Sequence, residues 1–255
     1  MPDRSTVLTS ALVLGAAVAA WVSVVRSSLQ GDDVMMTMPM PATWADGTVF
    51  VLGWAIMMAA MMLPSALPMI SLYGGIHRSK VAPAHRVIAE GVSVASFTAV
   101  YLVVWAASGV PVYLAHTALM AVPESGFAYG IAVVLAAAGV FQLSPLKRAC
   151  LRACRSPLGF LLGHWRPGRW GSLALGWYHA IYCLGCCWAL MLVLVAAGAM
   201  GLRWVLLITA AVAAEKLLPG GEWIARATGM ALVVLGVTVA IRPELAMVLR
   251  GAHPM

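Results

Sequence analysis

Residues 171–198 read GSLALGWYHAIYCLGCCWALMLVLVAAG, a run without a single Asp, Glu, Lys or Arg. It exceeds the ~18–20 residues an α-helix needs to cross a ~30 Å hydrocarbon layer. A soluble helix keeps a polar stripe for water, and this one has none to offer. Comparable runs lie on either side of it, at Thr6 to Val25, Gly47 to Tyr73, Val87 to Ser108, Phe127 to Leu143, Trp204 to Leu218 and Trp223 to Ile241. The run at Trp204 is short and ends in Glu215 and Lys216. Over all 255 residues, 62% are hydrophobic and 10% charged, with a mean hydropathy of +0.93. Soluble domains carry roughly 45–50% and ~25%. The sequence predicts an all-α, polytopic transmembrane helical bundle of about six to seven spans, and the period-two alternation of an outer-membrane barrel is absent.

The net charge of +7 is no footprint for nucleic acid, because the basic residues sit in short connectors between apolar runs. The most basic are His77 to Arg86 and Lys147 to Arg169, after the second and fourth runs. Positive residues stay cytoplasmic, and these two connectors share that side only if the N-terminus is cytoplasmic as well. The expectation is a multi-pass protein of a bacterial inner (plasma) membrane whose immediate partner is the lipid bilayer. Residues 1–46 divide off as an N-terminal helix, either signal anchor or cleaved signal, plus an external connector. Residues 47–241 form the bundle and 242–255 a short tail. Pro and Gly pairs mark the breaks, and oligomeric state leaves no trace in the sequence.

Sulfur is the concentrated chemistry. His179, Cys183, Cys186 and Cys187 stand at i, i+4, i+7 and i+8, which puts an imidazole and three thiols within an arc of ~100° on one helix face. Cysteine also serves as a small buried hydrophobe, but this stacking favours ligation, and soft sulfur donors select Cu(I) or a similar soft ion over hard cations. In the second run, WAIMMAAMMLPSALPMI places Met57, Met58, Met61 and Met62 within ~140° of one another. Packing alone accounts for much of that, since methionine is a flexible core filler. Pro64 and Pro68 permit a kink there. Helix rise places Met57 to Met62 and His179 to Cys183 at overlapping depths near the midplane, so a mixed site between these two spans is geometrically open.

Three further groups stand out. Met35, Met36, Met38 and Met40 crowd a Pro-broken external connector, where thioethers survive oxidising conditions and suit capture of a soft monovalent ion. Cys150 and Cys154 form a cytoplasmic thiol pair among Lys147, Arg148, Arg152 and Arg155, and nearby cations lower a thiol pKa. Glu215 is an acid within a span, a functional candidate or a salt-bridge partner of its neighbour Lys216. No phosphate-binding loop, HExxH or G-x-S-x-G motif is present.

The stretches MMAAMMLPSALPMI, QLSPLKRACLRACRSPLGFLLGHWRPG, CLGCCWALM and EKLLP resemble the bacterial family of predicted metal-binding integral membrane proteins, a domain of unknown function sometimes labelled copper chaperone. The resemblance covers about Thr48 to Ile241. It implies a membrane-embedded metal site with a link to copper and carries over Met57, Met58, Met61, Met62, Cys183, Cys186 and Cys187 as candidate ligands. Cys150 and Cys154 match the family pattern without an assigned role, and Ala153 stands where members often have a histidine. The leading expectation is copper handling by chaperoning, transfer or transport, with a copper donor or acceptor protein as partner. The alternatives are a copper-dependent membrane oxidoreductase acting on a lipid-soluble substrate near His179, Tyr182 or Glu215, and an assembly or structural subunit.

Overall fold

A computed structural model of the chain describes residues 4–30, 43–79, 86–166, 170–196 and 201–249, and there is no strand among them. The helices are α1 (Arg4–Gln30), α2 (Trp44–Ser79), α3 (Arg86–Ala107), α4 (Gly109–Met120), α5 (Glu124–Leu143), α6 (Pro145–Arg155), α7 (Pro157–His164), α8 (Gly171–Ala196), α9 (Leu202–Leu217), α10 (Gly221–Ile241) and α11 (Glu244–Leu249). The expected all-α bundle is what forms. Among the described residues, six stretches are long and apolar enough to cross a membrane: Val7–Gln30, Trp44–Ile76, Ile88–Leu119, Gly126–Leu143, Gly171–Ala196 and Gly221–Ile241. The run at Trp204 becomes α9, only 16 residues long. The methionine cluster at Met35, Met36, Met38 and Met40 lies outside the described residues.

One expected connector is helix instead. Ser108 keeps right-handed helical dihedrals (φ −63°, ψ −18°), its N–H donates to the Val104 carbonyl, and its own carbonyl accepts from Val112. The helical path of α3 therefore continues into α4. The segment stays apolar, and its one proline, Pro111, falls in the first turn of α4, where a missing N–H costs little. The tail is likewise partly helical, with the Trp204 indole donating to the Leu249 carbonyl at 2.9 Å.

α2 and α3 are antiparallel. Tyr73 stacks on Phe97 at one end (5.4 Å), and the Trp54 indole donates to the Ser108 hydroxyl at the other (3.1 Å). α3 in turn lies along α8, with the Phe97 and Tyr101 rings stacked on His179. Tyr73 also meets Trp165, just beyond α7, at 5.9 Å. The C-terminal end of α2 and the basic α6–α7 segment thus occupy the same end of the bundle. α9 reaches that end too and turns into α10 through Pro219 and Gly220, whose φ of 80° favours glycine.

The most extensive helix pairing among the described residues is α5 against α10. A Cβ at Gly139 would lie 2.6 Å from the Gly229 carbonyl oxygen and 2.7 Å from the Val233 nitrogen. Both are backbone atoms with no rotamer to yield. Small residues at helix contacts let backbones approach in this way, and the gain is dispersion. Gly139→Val should therefore force the helices apart and cost about 1–3 kcal/mol, as overpacking of a tight contact does. Thermal unfolding in detergent measures it, with Gly15→Ala as the control, since nothing lies within 4 Å of a Cβ there. A Gly139→Val protein as stable as the control would contradict the packing described.

Candidate metal centre

The face of α8 expected from the helical period is present and buried: His179, Cys183, Cys186 and Cys187 all point into the bundle. The Cys186 and Cys187 thiols both donate to the Cys183 carbonyl, at 3.1 and 2.7 Å, and lie 3.7 Å from each other. Cysteine in a helix can return its proton one turn back in this way, which satisfies a thiol that has no water. Four other helices close around the face. The Tyr101 hydroxyl of α3 sits 3.1 Å from the Cys183 sulfur. The Cys154 sulfur of α6 lies 3.7 Å from that of Cys186. From α9, the Lys216 ammonium donates to the Cys183 sulfur at 3.1 Å and to the Ser65 hydroxyl of α2 at 3.3 Å. The Met62 thioether lies 3.9 Å from the same ammonium.

The local sequence explains why Cys154 arrives there. Ser144 caps α6, its hydroxyl accepting from the Lys147 N–H at 3.1 Å, and Pro145 occupies the first turn, the usual serine–proline helix start. Lys147, Leu151 and Cys154 then fall at i, i+4 and i+7 on the face turned towards α8. Lys147 is fully buried. Its ammonium lies 2.6 Å from the Glu215 carboxylate and also donates to the Cys186 carbonyl. Gln142 donates to the other Glu215 oxygen at 2.7 Å. Arg155 ties α6 to the end of α9 through the Glu215 and Leu218 carbonyls, at 2.6 and 2.7 Å. A buried pair is tolerated only when its remaining lone pairs and protons are satisfied, and here they are shared among α5, α6, α8 and α9.

Several expectations need adjustment. Glu215 pairs with Lys147 rather than with its neighbour Lys216, because consecutive residues on a helix point ~100° apart. Lys216 turns to the sulfur cluster instead. Met57, Met58, Met61 and Met62 are all buried in the same core as the thiols, and the Met62 thioether lies 3.9 Å from the Lys216 ammonium that faces Cys183. α3 packs against both α2 and α8, and Lys216 of α9 bridges from Ser65 to Cys183. Cys150 and Cys154 are both half-buried against α8, Cys150 where the missing side chain of Gly185 leaves room. Their surroundings do not favour thiolate as the local cations suggested. Hydrogen bonding with Cys183 and Cys186, then burial, pushes the Cys154 thiol well above the usual cysteine range, and burial raises that of Cys150. Two of the three arginines are engaged elsewhere, Arg152 on Glu222 at 2.7 Å and Arg155 on backbone carbonyls.

Lys147, Lys216, Tyr101 and Ser65 are the parts that sequence reasoning did not assign to the centre. The i, i+4, i+7 stripe of α6 was the available signal for Lys147, masked by the arginines around it. Among the described residues no group of three or more His, Cys, Asp or Glu side chains is preformed to hold a metal ion. The sulfurs stand in close pairs, with Cys186 common to two of them, and two thiols are tied to the Cys183 carbonyl.

Compared with known proteins, residues 51–239 match a family model described as copper chaperone (PpoB2). No curated protein and no solved structure matches significantly.

Because Glu215 is the sole carboxylate within reach of the Lys147 ammonium among the described residues, Glu215→Gln leaves a buried charge uncompensated. The expected cost is about 3–5 kcal/mol, read as a large drop in thermal unfolding temperature. Lys147→Met with Glu215→Gln removes both charges and should restore most of the loss. Equal stability of Glu215→Gln and wild type would contradict the pairing.

Proposed function

The chain belongs to the copper chaperone family, and from that premise we propose that it is an integral membrane protein that binds Cu(I) at the sulfur cluster of α6 and α8 and hands it to a partner. The single observation that carries the reading is the convergence of Cys154, Cys183, Cys186 and Cys187, with the Lys216 ammonium beside them. Soft thiolates select a soft monovalent ion. Two thiolates and one Cu(I) carry a net charge of −1, and Lys216 brings the site to neutrality, which a low-dielectric interior demands.

The pairwise arrangement fits an ion that comes and goes. A sulfur–sulfur separation of 3.7 Å is close to that of two ligands sharing one ion at metal–sulfur bonds of ~2.3 Å. Binding then requires Cys186 and Cys187 to release the Cys183 carbonyl. Each release gives up a neutral hydrogen bond of about 1 kcal/mol net, small beside a metal–thiolate bond. Other soft ions, Ag(I) among them, suit the same donors.

The six apolar stretches are compatible with a multi-pass membrane protein, and on this reading the bundle lies in a bacterial inner membrane with the basic α6–α7 end in the cytoplasm, where positive residues are retained. The N-terminus is then cytoplasmic, and Met35, Met36, Met38 and Met40 lie outside as a capture segment. The oxidoreductase alternative needs a lipid-soluble substrate beside the ion. An apolar cavity of about 470 Å³ between Trp54, Trp105 and Trp188 has room for one. Of its α8 residues, Ile181, Gly185, Trp188 and Leu192 lie on the side of the helix away from the thiols, while Leu184 and Met191 stand nearer to them.

Purified protein, reduced and loaded with Cu(I) without oxygen, should hold copper stoichiometrically. Cys183→Ser and Cys186→Ser should each lose it, with Cys150→Ser close to wild type. A wild type free of metal after loading would overturn the proposal.

A further inference from the structure

Between the buried thiols and the basic end of the bundle lies a cavity of about 220 Å³, lined by His179, Met69, Cys154 and Lys216 and, at its α6 and α9 edge, by Arg155 and Leu217. Leu217 is 52% exposed, so the cavity meets the surface on the side where α6, α7 and the end of α9 gather. His179 is its unexplained member. The ring is held between aromatic neighbours, stacked on Phe97 at 5.7 Å and Tyr101 at 5.5 Å and edged by Phe160 at 5.6 Å. It is 3% exposed, and its Nδ1 has no hydrogen-bond partner. A buried imidazole nitrogen left without a partner is uncommon and calls for a cause. The same residue lines the cavity together with a thioether and a thiol.

We infer that this cavity is the exchange port of the sulfur cluster, a second and more weakly binding ion position made by the His179 imidazole, the Met69 thioether and the Cys154 thiol, through which Cu(I) passes between the cluster and a small thiol carrier on the α6–α7 side. The inference rests on the Cu(I)-binding reading above. Imidazole, thioether and thiol together suit a soft ion, and with at most one anionic ligand the position holds it less firmly than the thiols behind. The volume is several times the ~30 Å³ share of a water, so an ion can enter while still bound to a carrier's sulfur.

Cys154 belongs to both positions. It lines the cavity, and its sulfur stands 3.7 Å from that of Cys186. Transfer is ligand exchange without redox change, the copper staying Cu(I) throughout. As the ion moves inward, the Cu–S bonds to two carrier thiolates break and each carrier thiolate takes up a proton. Cu–S bonds to Cys154 and then Cys186 form, and these two thiols give up the protons that the carrier thiolates take. Outward transfer reverses each step.

The test uses the full chain in lipid nanodiscs, with Cu(I)–glutathione as donor under anaerobic conditions, and reads the rate of copper uptake and the final copper per protein. His179→Leu and Met69→Leu should each slow uptake roughly tenfold, the loss of one stabilising ligand at the barrier, and leave the final stoichiometry at the wild-type value. Met69→Leu conserves volume and so keeps the packing. Uptake at the wild-type rate in both variants overturns the port. Loss of stoichiometry in both also overturns it, because the two side chains would then belong to the main site. No uptake by the wild type would instead mean that the Cu(I)-binding reading itself had failed.

Discussion

The ammonium of Lys147 sits in the interior of an apolar bundle, and the Glu215 carboxylate 2.6 Å away makes that position tenable. Two isolated charges there would each cost several kcal/mol. Together, with Gln142 and the Cys186 carbonyl taking the remaining hydrogen bonds, they join α5, α6, α8 and α9 at one point. The consequence for chemistry is positional. α6 is a short, strongly basic helix that would otherwise lie on the surface, and its seating carries Cys154 to within 3.7 Å of Cys186.

A second buried cation has a different office. Lys216 has no carboxylate beside it among the described residues and faces the Cys183 sulfur, the Ser65 hydroxyl and the Met62 thioether. Adjacent positions in α9 thus serve two ends, Glu215 holding the frame and Lys216 supplying charge to the sulfur cluster. A site that alternates between empty and metal-loaded changes its net charge, and an ammonium within hydrogen-bond reach of a thiol can stabilise the anionic state without being a ligand.

Much of this was legible in the sequence, for identifiable reasons. Uncharged runs of span length fix helices because no other backbone arrangement hides its polar groups in apolar surroundings. The 3.6-residue period fixed the shared face of His179, Cys183, Cys186 and Cys187. What the period cannot supply is which helices touch. Met57 to Met62 matched the thiols in depth, but helix rise alone could not show that α3 packs against both helices or that the Met62 thioether lies 3.9 Å from the Lys216 ammonium. Cys154 looked like half of a separate surface pair, because its connection to Cys186 depends on the Lys147–Glu215 contact across 68 positions of chain. Charge composition misled in the same region, since Arg152 and Arg155 find other partners, and hydrogen bonding to the α8 thiols raises Cys154 while burial raises Cys150.

The central claim is that the ion is held by sulfur from two helices, α8 and α6. X-ray absorption at the copper edge of the Cu(I)-loaded protein tests it most directly. The account predicts a first shell of sulfur without oxygen, and the loss of a sulfur from that shell in Cys154→Ser. A first shell dominated by nitrogen or oxygen, or one that Cys154→Ser leaves unchanged, would contradict it.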